Sequence, residues 1–345
     1  MSSSDQQITL TVGGHKRLAT LHLPPAAATA AGAPPPLLPL VFNWHAMMET
    51  KADQQGLADM DRVADAAGFA VVYPQGFSAA SVVGYKLGGF THNAGGCCSS
   101  ANADGVDDVA FARALLEYVA VNASAASAYA GAGAGGGTSS AAWAIDRRRV
   151  FSAGFSNGGF MSNRLACEAP EIFAAVAAVS GILAPEPNPV MDPKGAPFAC
   201  APGRPVPVLH VHGTEDVLVA YDGNPDFGWD GVQAYADGWS ARNGCTELAA
   251  LSFANASASA STAATTAAAA TNTSVRCMSR CGGMRNVTLC TVQGGGHAWP
   301  AGRCGGAFGP CSLNLGPIGT LDVVGEPLLQ TADEIWRFFS DKTLV

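Results

Sequence analysis

The chain has 345 residues, a formal net charge of −8, and 13% charged against 48% hydrophobic residues. This composition supports a sizeable core, and the negative charge disfavours nucleic acid and anionic membrane surfaces as partners. No run of about 18 strongly apolar residues occurs, so no transmembrane helix is predicted.

The opening, MSSSDQQITLTVGG, lacks a basic segment followed by an apolar one and does not read as a signal peptide. Residues 8–12 and 18–23 alternate as an antiparallel hairpin would. The Pro/Ala-rich residues 24–36 read as a surface loop. Short β-rich runs follow at 38–44, 70–73, 150–153, 174–179, 206–211 and 287–292. Helical patterns stand between them at 54–67, 106–119 and 159–169, and a last one covers 330–340. Strands alternating with helices predict a mostly parallel, doubly wound α/β sheet flanked by helices. The whole of 1–345 reads as one catalytic domain interrupted by two low-complexity insertions, at about 123–142 and 252–274. Neither insertion has enough large apolar side chains to hold a packed core. The first contains a literal G-x-G-x-x-G at Gly131, Gly133 and Gly136, without the strand and helix that nucleotide binding requires.

There are ten cysteines, a density that points to an oxidising, extracellular or secretory compartment. Sequons at Asn122, Asn255, Asn272 and Asn286 agree with that. The spacing of Cys277 and Cys281, with no matching pair elsewhere, does not suit zinc. Pairings of Cys167 with Cys200 and of Cys245 with Cys290 are expected. The adjacent Cys97 and Cys98 are expected not to bond to each other.

The chemistry concentrates at Gly154-Phe155-Ser156-Asn157-Gly158, a G-x-S-x-G between a predicted strand and a predicted helix. That context is a nucleophile elbow, with Ser156 at its apex and a helix N-terminus beneath it. Serine needs a base. His297 comes late, in the loop Gly294-Gly295-Gly296-His297 after the last β run, whereas His15, His22, His92, His210 and His212 are placed less well. The base needs an acid, and Asp216 lies just past the end of the 206–211 strand, with Glu215 and Asp222 as alternatives. The order Ser156, Asp216, His297 is that of α/β hydrolases. An oxyanion hole would take the backbone N–H of Asn157 and that of Ala46 or Met47, in the loop after the first parallel strand. Asp107 and Asp108 are expected to cap the following helix.

Asn93-Ala94-Gly95-Gly96-Cys97-Cys98, Val106-Asp107-Asp108, Gly154-Phe155-Ser156-Asn157-Gly158-Gly159, His212-Gly213-Thr214-Glu215-Asp216 and Gly294-Gly295-Gly296-His297-Ala298-Trp299-Pro300 occur in this order. Together they resemble the poly(3-hydroxybutyrate) depolymerase-like and feruloyl esterase-like family of α/β-hydrolase carbohydrate esterases. The resemblance covers about residues 38 to 340 apart from the insertions. It departs at Ala46, where a glycine is usual. It implies cleavage of carboxylic esters by a Ser-Asp-His triad, with no metal and no organic cofactor. It further implies that Trp299 lines an acyl or aromatic subsite, core packing being the alternative, and Trp44 and His45 are taken as further substrate-lining residues. The expected substrate is a feruloyl or acetyl ester on a polysaccharide, with an aliphatic polyester second and an inactive binding scaffold third.

Overall fold

The computed structural model describes residues 4–25, 36–79, 89–98, 101, 104–129, 143–191, 195–245, 275–302 and 329–344, side chains of 122–129 excepted. The low-complexity stretch 252–274, the G-x-G-x-x-G and both Cys304 and Cys311 lie outside the described residues.

A nine-stranded sheet runs in the order β1-β2-β4-β3-β7-β8-β9-β11-β10. Its strands are β1 (Ser4–Val12), β2 (His15–Leu23), β3 (Leu37–Trp44), β4 (Ala70–Pro74), β7 (Ala144–Phe155), β8 (Ala175–Val179), β9 (Val208–Gly213), β10 (Val275–Arg280) and β11 (Val287–Val292). β4 through β11 are parallel in this order, and the edges are antiparallel. β5 (Phe77–Ala79) and β6 (Gly89–Thr91) form a separate antiparallel pair. This is the α/β-hydrolase architecture.

Period-two alternation sends the side chains of each central strand to both faces. On one face Leu40, Phe42 and Trp44 pack with Phe111 and Leu115 of α3 (Asp108–Tyr129), Phe160 and Leu165 of α4 (Asn157–Glu168), and Trp239 of α5 (Val232–Arg242). On the other, Val41, Phe151 and Val211 pack with Ala58 of α1 (Lys51–Ala58), Val63 of α2 (Met60–Ala67), and Ile335 and Phe339 of α6 (Thr331–Phe339). The crossover after β3 passes over the second face and the one before β7 over the first. The strand order therefore reverses between β3 and β7, and the crevice beyond their carboxyl ends is where such sheets bind ligands.

Several sequence expectations need correction. The 54–67 helix is two helices. Thr50 and Asp53 form a capping box at the start of α1, and Asp59 takes a left-handed conformation, φ 53°, that ends it. α3 continues to Tyr129, so the start of the first presumed insertion is helical backbone. Its Ala-rich run lacks large side chains but has high helix propensity. Strands β5, β6 and β10 and helix α5 were not expected at all. Cys167 pairs with Cys200 as expected. Cys245, however, pairs with Cys281, and Cys277 with Cys290. The reason is register: β10 and β11 are antiparallel, with Cys277 directly opposite Cys290. Cys97 and Cys98 are bonded to each other, contrary to expectation.

His22 clasps the edge hairpin to α2. Its Nδ1 lies 2.8 Å from Asp5 Oδ1 and 3.5 Å from Asp61 Oδ2, and its Nε2 lies 3.0 Å from Asp65 Oδ1. Burial opposes the imidazolium, but Asp5, Asp61 and Asp65 outweigh it and the pKa is raised. A His whose folded-state pKa is raised gives stability that is full below its unfolded value and is lost as pH rises through the folded value. His22→Ala should therefore cost more stability at about pH 6 than at about pH 8. Thermal melts of both proteins at the two pH values check this, and an equal loss at both would refute it. Peptide mapping without reduction should find Cys277 linked to Cys290. A Cys245–Cys290 peptide would contradict the β10 register.

Candidate active site

β7 delivers the chain into the crevice and α4 carries it away at once. Ser156 sits between them with φ 51° and ψ −117°, a region costing roughly 1–3 kcal/mol for a residue with a side chain. The surroundings enforce it. A Cβ on Gly154 would collide with the Gly158 backbone, and one on Gly158 with the Trp44 carbonyl. Only bare backbone lets β7, α4 and β3 approach this closely. The Ser156 N–H donates to Val179 O of β8 at 2.8 Å, and its carbonyl accepts from Phe160 N at 3.0 Å. Phe155 and Asn157 are buried while Ser156 is half-buried, so the turn offers the serine to the crevice.

Asp216 and His297 meet across 81 residues. His297 Nδ1 lies 2.8 Å from Asp216 Oδ2. The carboxylate side chain is wholly buried, and the imidazole is 7% exposed. Asp216 Oδ1 accepts from Leu218 N at 2.9 Å and Val219 N at 2.8 Å. Burial favours the neutral acid, but hydrogen bonds from His212 and His297 outweigh it and hold Asp216 well below the ordinary carboxylate range. An ionised carboxylate only accepts, so His297 Nδ1 carries the proton and Nε2 is left as a base. The ring lies 5.1 Å from Phe155, the neighbour of Ser156. The alternatives are set apart: Glu215 and Asp222 are both exposed, and Asp222 adjoins the turn closed by Gly223 N–H to Ala220 O at 2.9 Å.

Helix α4 begins at Asn157, and the first-turn N–H groups of a helix have no partner within it. The Asn157 side chain fixes the neighbouring loop: Oδ1 accepts from His92 N at 2.7 Å, and Nδ2 donates to His92 O and Cys97 O, each at 3.1 Å. Across the crevice, the loop after β3 is fixed by His45. Its Nδ1 donates to Ala46 O at 2.6 Å, and its Nε2 accepts from Gly76 N at 2.8 Å. Burial lowers its pKa to about 4 and keeps it neutral. The Ala46 N–H donates to Glu49 Oε2 at 3.2 Å. Burial pushes the Glu49 carboxyl up to about 7, against the lowering effect of that bond. Among the described residues no acceptor meets the Met47 N–H.

The residues expected to line the substrate are all buried. Trp44 is fully buried, donates from Nε1 to Ser152 Oγ at 3.1 Å, and stacks on Phe42. His45 is equally buried and holds backbone on both sides. Trp299 is 5% exposed and packs edge-on against Phe155 in the core of the second face. Each of the three is thus held by protein partners on the side the structure shows. Sequence reasoning overlooked Glu49 and underrated His212, whose Nε2 approaches Asp216 Oδ2 at 3.2 Å. The signal for His212 was its spacing, four residues before the carboxylate at a strand end.

The expected helix caps also divide. Asp107 does cap α3, accepting from Ala110 N at 2.7 Å. Asp108 instead forms a buried ion pair with Arg17 and accepts from Asn93 N at 2.6 Å, which pins the loop behind Asn157.

Residues 132–224 match the family model described as Phospholipase/Carboxylesterase. Feruloyl esterase B of Piromyces equi is 28% identical over 277 residues, covering 78% of this chain and 41% of that protein. The chain thus spans about two fifths of that relative's length. The putative esterase NocK of Nocardia uniformis subsp. tsuyamanensis is 28% identical over 298 residues, covering 85% of this chain and 73% of the relative. Among solved structures, an acetyl xylan esterase from Aspergillus awamori superposes with a TM-score of 0.55 at 17% identity, covering 86% of this chain and 95% of that one. These matches support the resemblance to feruloyl esterase-like α/β hydrolases, and the structural likeness supports the fold.

Removing Arg17 would leave Asp108 buried beside no cation, and breaking a buried pair in this way costs about 3–5 kcal/mol. Arg17→Ala should lose that much in guanidinium unfolding. A loss under about 1 kcal/mol, the range of an exposed pair, would show that the pair does not anchor the loop.

Proposed function

We propose that this chain is a serine esterase with Ser156 as nucleophile, His297 as general base and acid, and Asp216 as the group that orients and stabilises His297. The observation that carries this is the buried Asp216–His297 hydrogen bond of 2.8 Å beside an elbow whose geometry presents Ser156 to the crevice. His297 Nε2 takes the Ser156 proton as Oγ attacks the ester carbonyl. It then returns the proton to the leaving alcohol, and water activated by the same nitrogen releases the acid. The Asn157 N–H is one oxyanion donor. Met47 is assigned as the other in preference to Ala46, because the Ala46 N–H is already directed at Glu49.

For substrate, the relatives named feruloyl esterase and acetylxylan esterase favour feruloyl or acetyl esters carried on polysaccharide. Four disulfides among the described residues suit a secreted enzyme. No residue of the proposed mechanism calls for a metal or an organic cofactor.

Hydrolysis of p-nitrophenyl esters from acetate to octanoate should be measured with wild type and Ser156→Ala. Loss of the nucleophile should lower kcat by at least about 10³-fold with the fold intact. Equal activity in the two proteins would rule out Ser156. Turnover of methyl ferulate and acetylated xylan ahead of hydroxyacid oligomers would support the polysaccharide substrate, and the reverse order would favour a polyester.

A further inference from the structure

Behind Asp216 lies a file of hydrogen-bonded imidazoles that the mechanism above does not use. His210 and His212 both lie on β9, two residues apart and so on the same face of the sheet. Both are 1% exposed. His210 Nε2 lies 2.9 Å from His212 Nδ1. His212 Nε2 lies 2.7 Å from Val219 O and 3.2 Å from Asp216 Oδ2. Neither of those oxygens can donate, so Nε2 of His212 carries a proton. Burial drives the His210 pKa far down, and that ring is neutral. Among the described residues its Nδ1 has no hydrogen-bond partner. An unpaired buried lone pair costs less than an unpaired N–H together with a buried charge. The proton between the two rings therefore sits on His210 Nε2. The donors then point one way, from His210 to His212 and from His212 to Val219 O, with Asp216 Oδ2 beside the same N–H at 3.2 Å. The other titratable groups facing these rings, among the described residues, are Tyr235, 4.5 Å from His210, Tyr221, 5.9 Å from His212, and His297 beyond the carboxylate.

We propose that His212 is a positioning residue for the reaction, fixing the Asp216 carboxylate through the same oxygen that holds His297. This rests on the esterase reading. The His212 N–H, bonded to Val219 O and facing Oδ2, ties the carboxylate to the turn whose Leu218 and Val219 amides hold Oδ1, and so restricts its rotation. It also draws negative charge away from the His297 contact, so Asp216 stays ionised and does not over-stabilise the imidazolium. His210 sets the tautomer of His212 and acts one step further back.

The test compares His212→Gln with His212→Asn. A glutamine amide reaches the place of Nε2 and can donate to Asp216. An asparagine amide reaches only the place of Nδ1. Both variants and wild type are titrated with a serine-directed fluorophosphonate and assayed on p-nitrophenyl acetate across pH. Per titrated site, His212→Asn should lose roughly 10- to 100-fold in kcat with KM little changed, the size of effect expected when a catalytic group is misplaced by about 1 Å. Its acidic limb should move to higher pH, because an undivided Oδ2 stabilises the His297 imidazolium more strongly. His212→Gln should recover most of the rate and the wild-type limb. A proton NMR spectrum of each protein should show the downfield His297 Nδ1–H resonance shifted in His212→Asn and near its wild-type position in His212→Gln, independently of turnover. Equal losses in both variants with an unmoved acidic limb would reduce His212 to a packing residue and overturn the proposal. Unchanged kcat in both would do the same. A wild type that neither hydrolyses the ester nor labels at Ser156 would instead overturn the esterase reading and this role with it, a result visible before any variant is made.

Discussion

The site depends on backbone approaching backbone with no side chain between. At the elbow the bare Cα atoms of Gly154 and Gly158 let β7, α4 and the end of β3 converge on one point. A third such approach joins Gly213, at the end of β9, to the Gly295 carbonyl in the loop that carries His297. Glu215 N–H seals that junction by donating to the same carbonyl at 2.8 Å. The loops bearing Ser156, Asp216 and His297 are therefore tied to the rigid centre of the sheet and to one another. The unfavourable φ of Ser156 persists because the frame on both sides of it is fixed, and strain of this kind is characteristic of places where a reactive group must be presented.

Two carboxylates are buried close to this frame, and their partners separate structure from chemistry. Asp108 faces Arg17, whose guanidinium does not give up its proton, so that pair is permanent and serves only to hold the loop at Asn93. Asp216 faces imidazoles, which can change charge. It has about four acceptor positions: two amides, Leu218 and Val219, bond to Oδ1, His297 bonds to Oδ2, and His212 Nε2, bonded to Val219 O, approaches the same oxygen at 3.2 Å. A carboxylate this fully committed has little freedom to turn and no reason to accept a proton. In the proposed mechanism it stabilises a transient positive charge on His297 without changing its own state, which is what an orienting acid has to do.

How much of this was legible in the sequence depended on whether a residue's role follows from its neighbours in the chain. The elbow could be read, because glycines on either side of a serine between strand and helix patterns have a local steric meaning. The order of the central strands and of the helices between them could be read from periodicity, including β11 at Val287–Val292. Asp59 could not, since the apolar period of 54–67 runs straight through it and only a left-handed backbone angle divides the helices. β10 was passed over because Val-Arg-Cys-Met-Ser-Arg is half-exposed along an edge and has no buried apolar run. Missing that strand also hid the Cys277–Cys290 pairing, which is a consequence of cross-strand register. Trp44, His45 and Trp299 lie beside motif residues, and adjacency suggested a substrate role. Their burial could not be read that way, because side-chain direction depends on packing partners far away in sequence, such as Ser152 for Trp44 and Gly76 for His45.

The loop after β3 shows how a departure from the usual pattern is absorbed. Ala46 stands where a glycine is usual, and its two peptide groups are both engaged by side chains: His45 Nδ1 holds its carbonyl, and Glu49 Oε2 receives its N–H. The backbone path is thus set by an imidazole and a carboxyl rather than by glycine's freedom to turn. The imidazole is suited to this because burial keeps it neutral, with one nitrogen to donate and one to accept from Gly76. The carboxyl is suited to it because burial raises its pKa towards neutrality and reduces the charge left beside the crevice. A carboxyl with a pKa of about 7 is about half neutral at neutral pH and so carries less charge into the loop than an ordinary glutamate would. Among the described residues the Met47 N–H meets no acceptor, which is why it is the proposed second donor in place of Ala46.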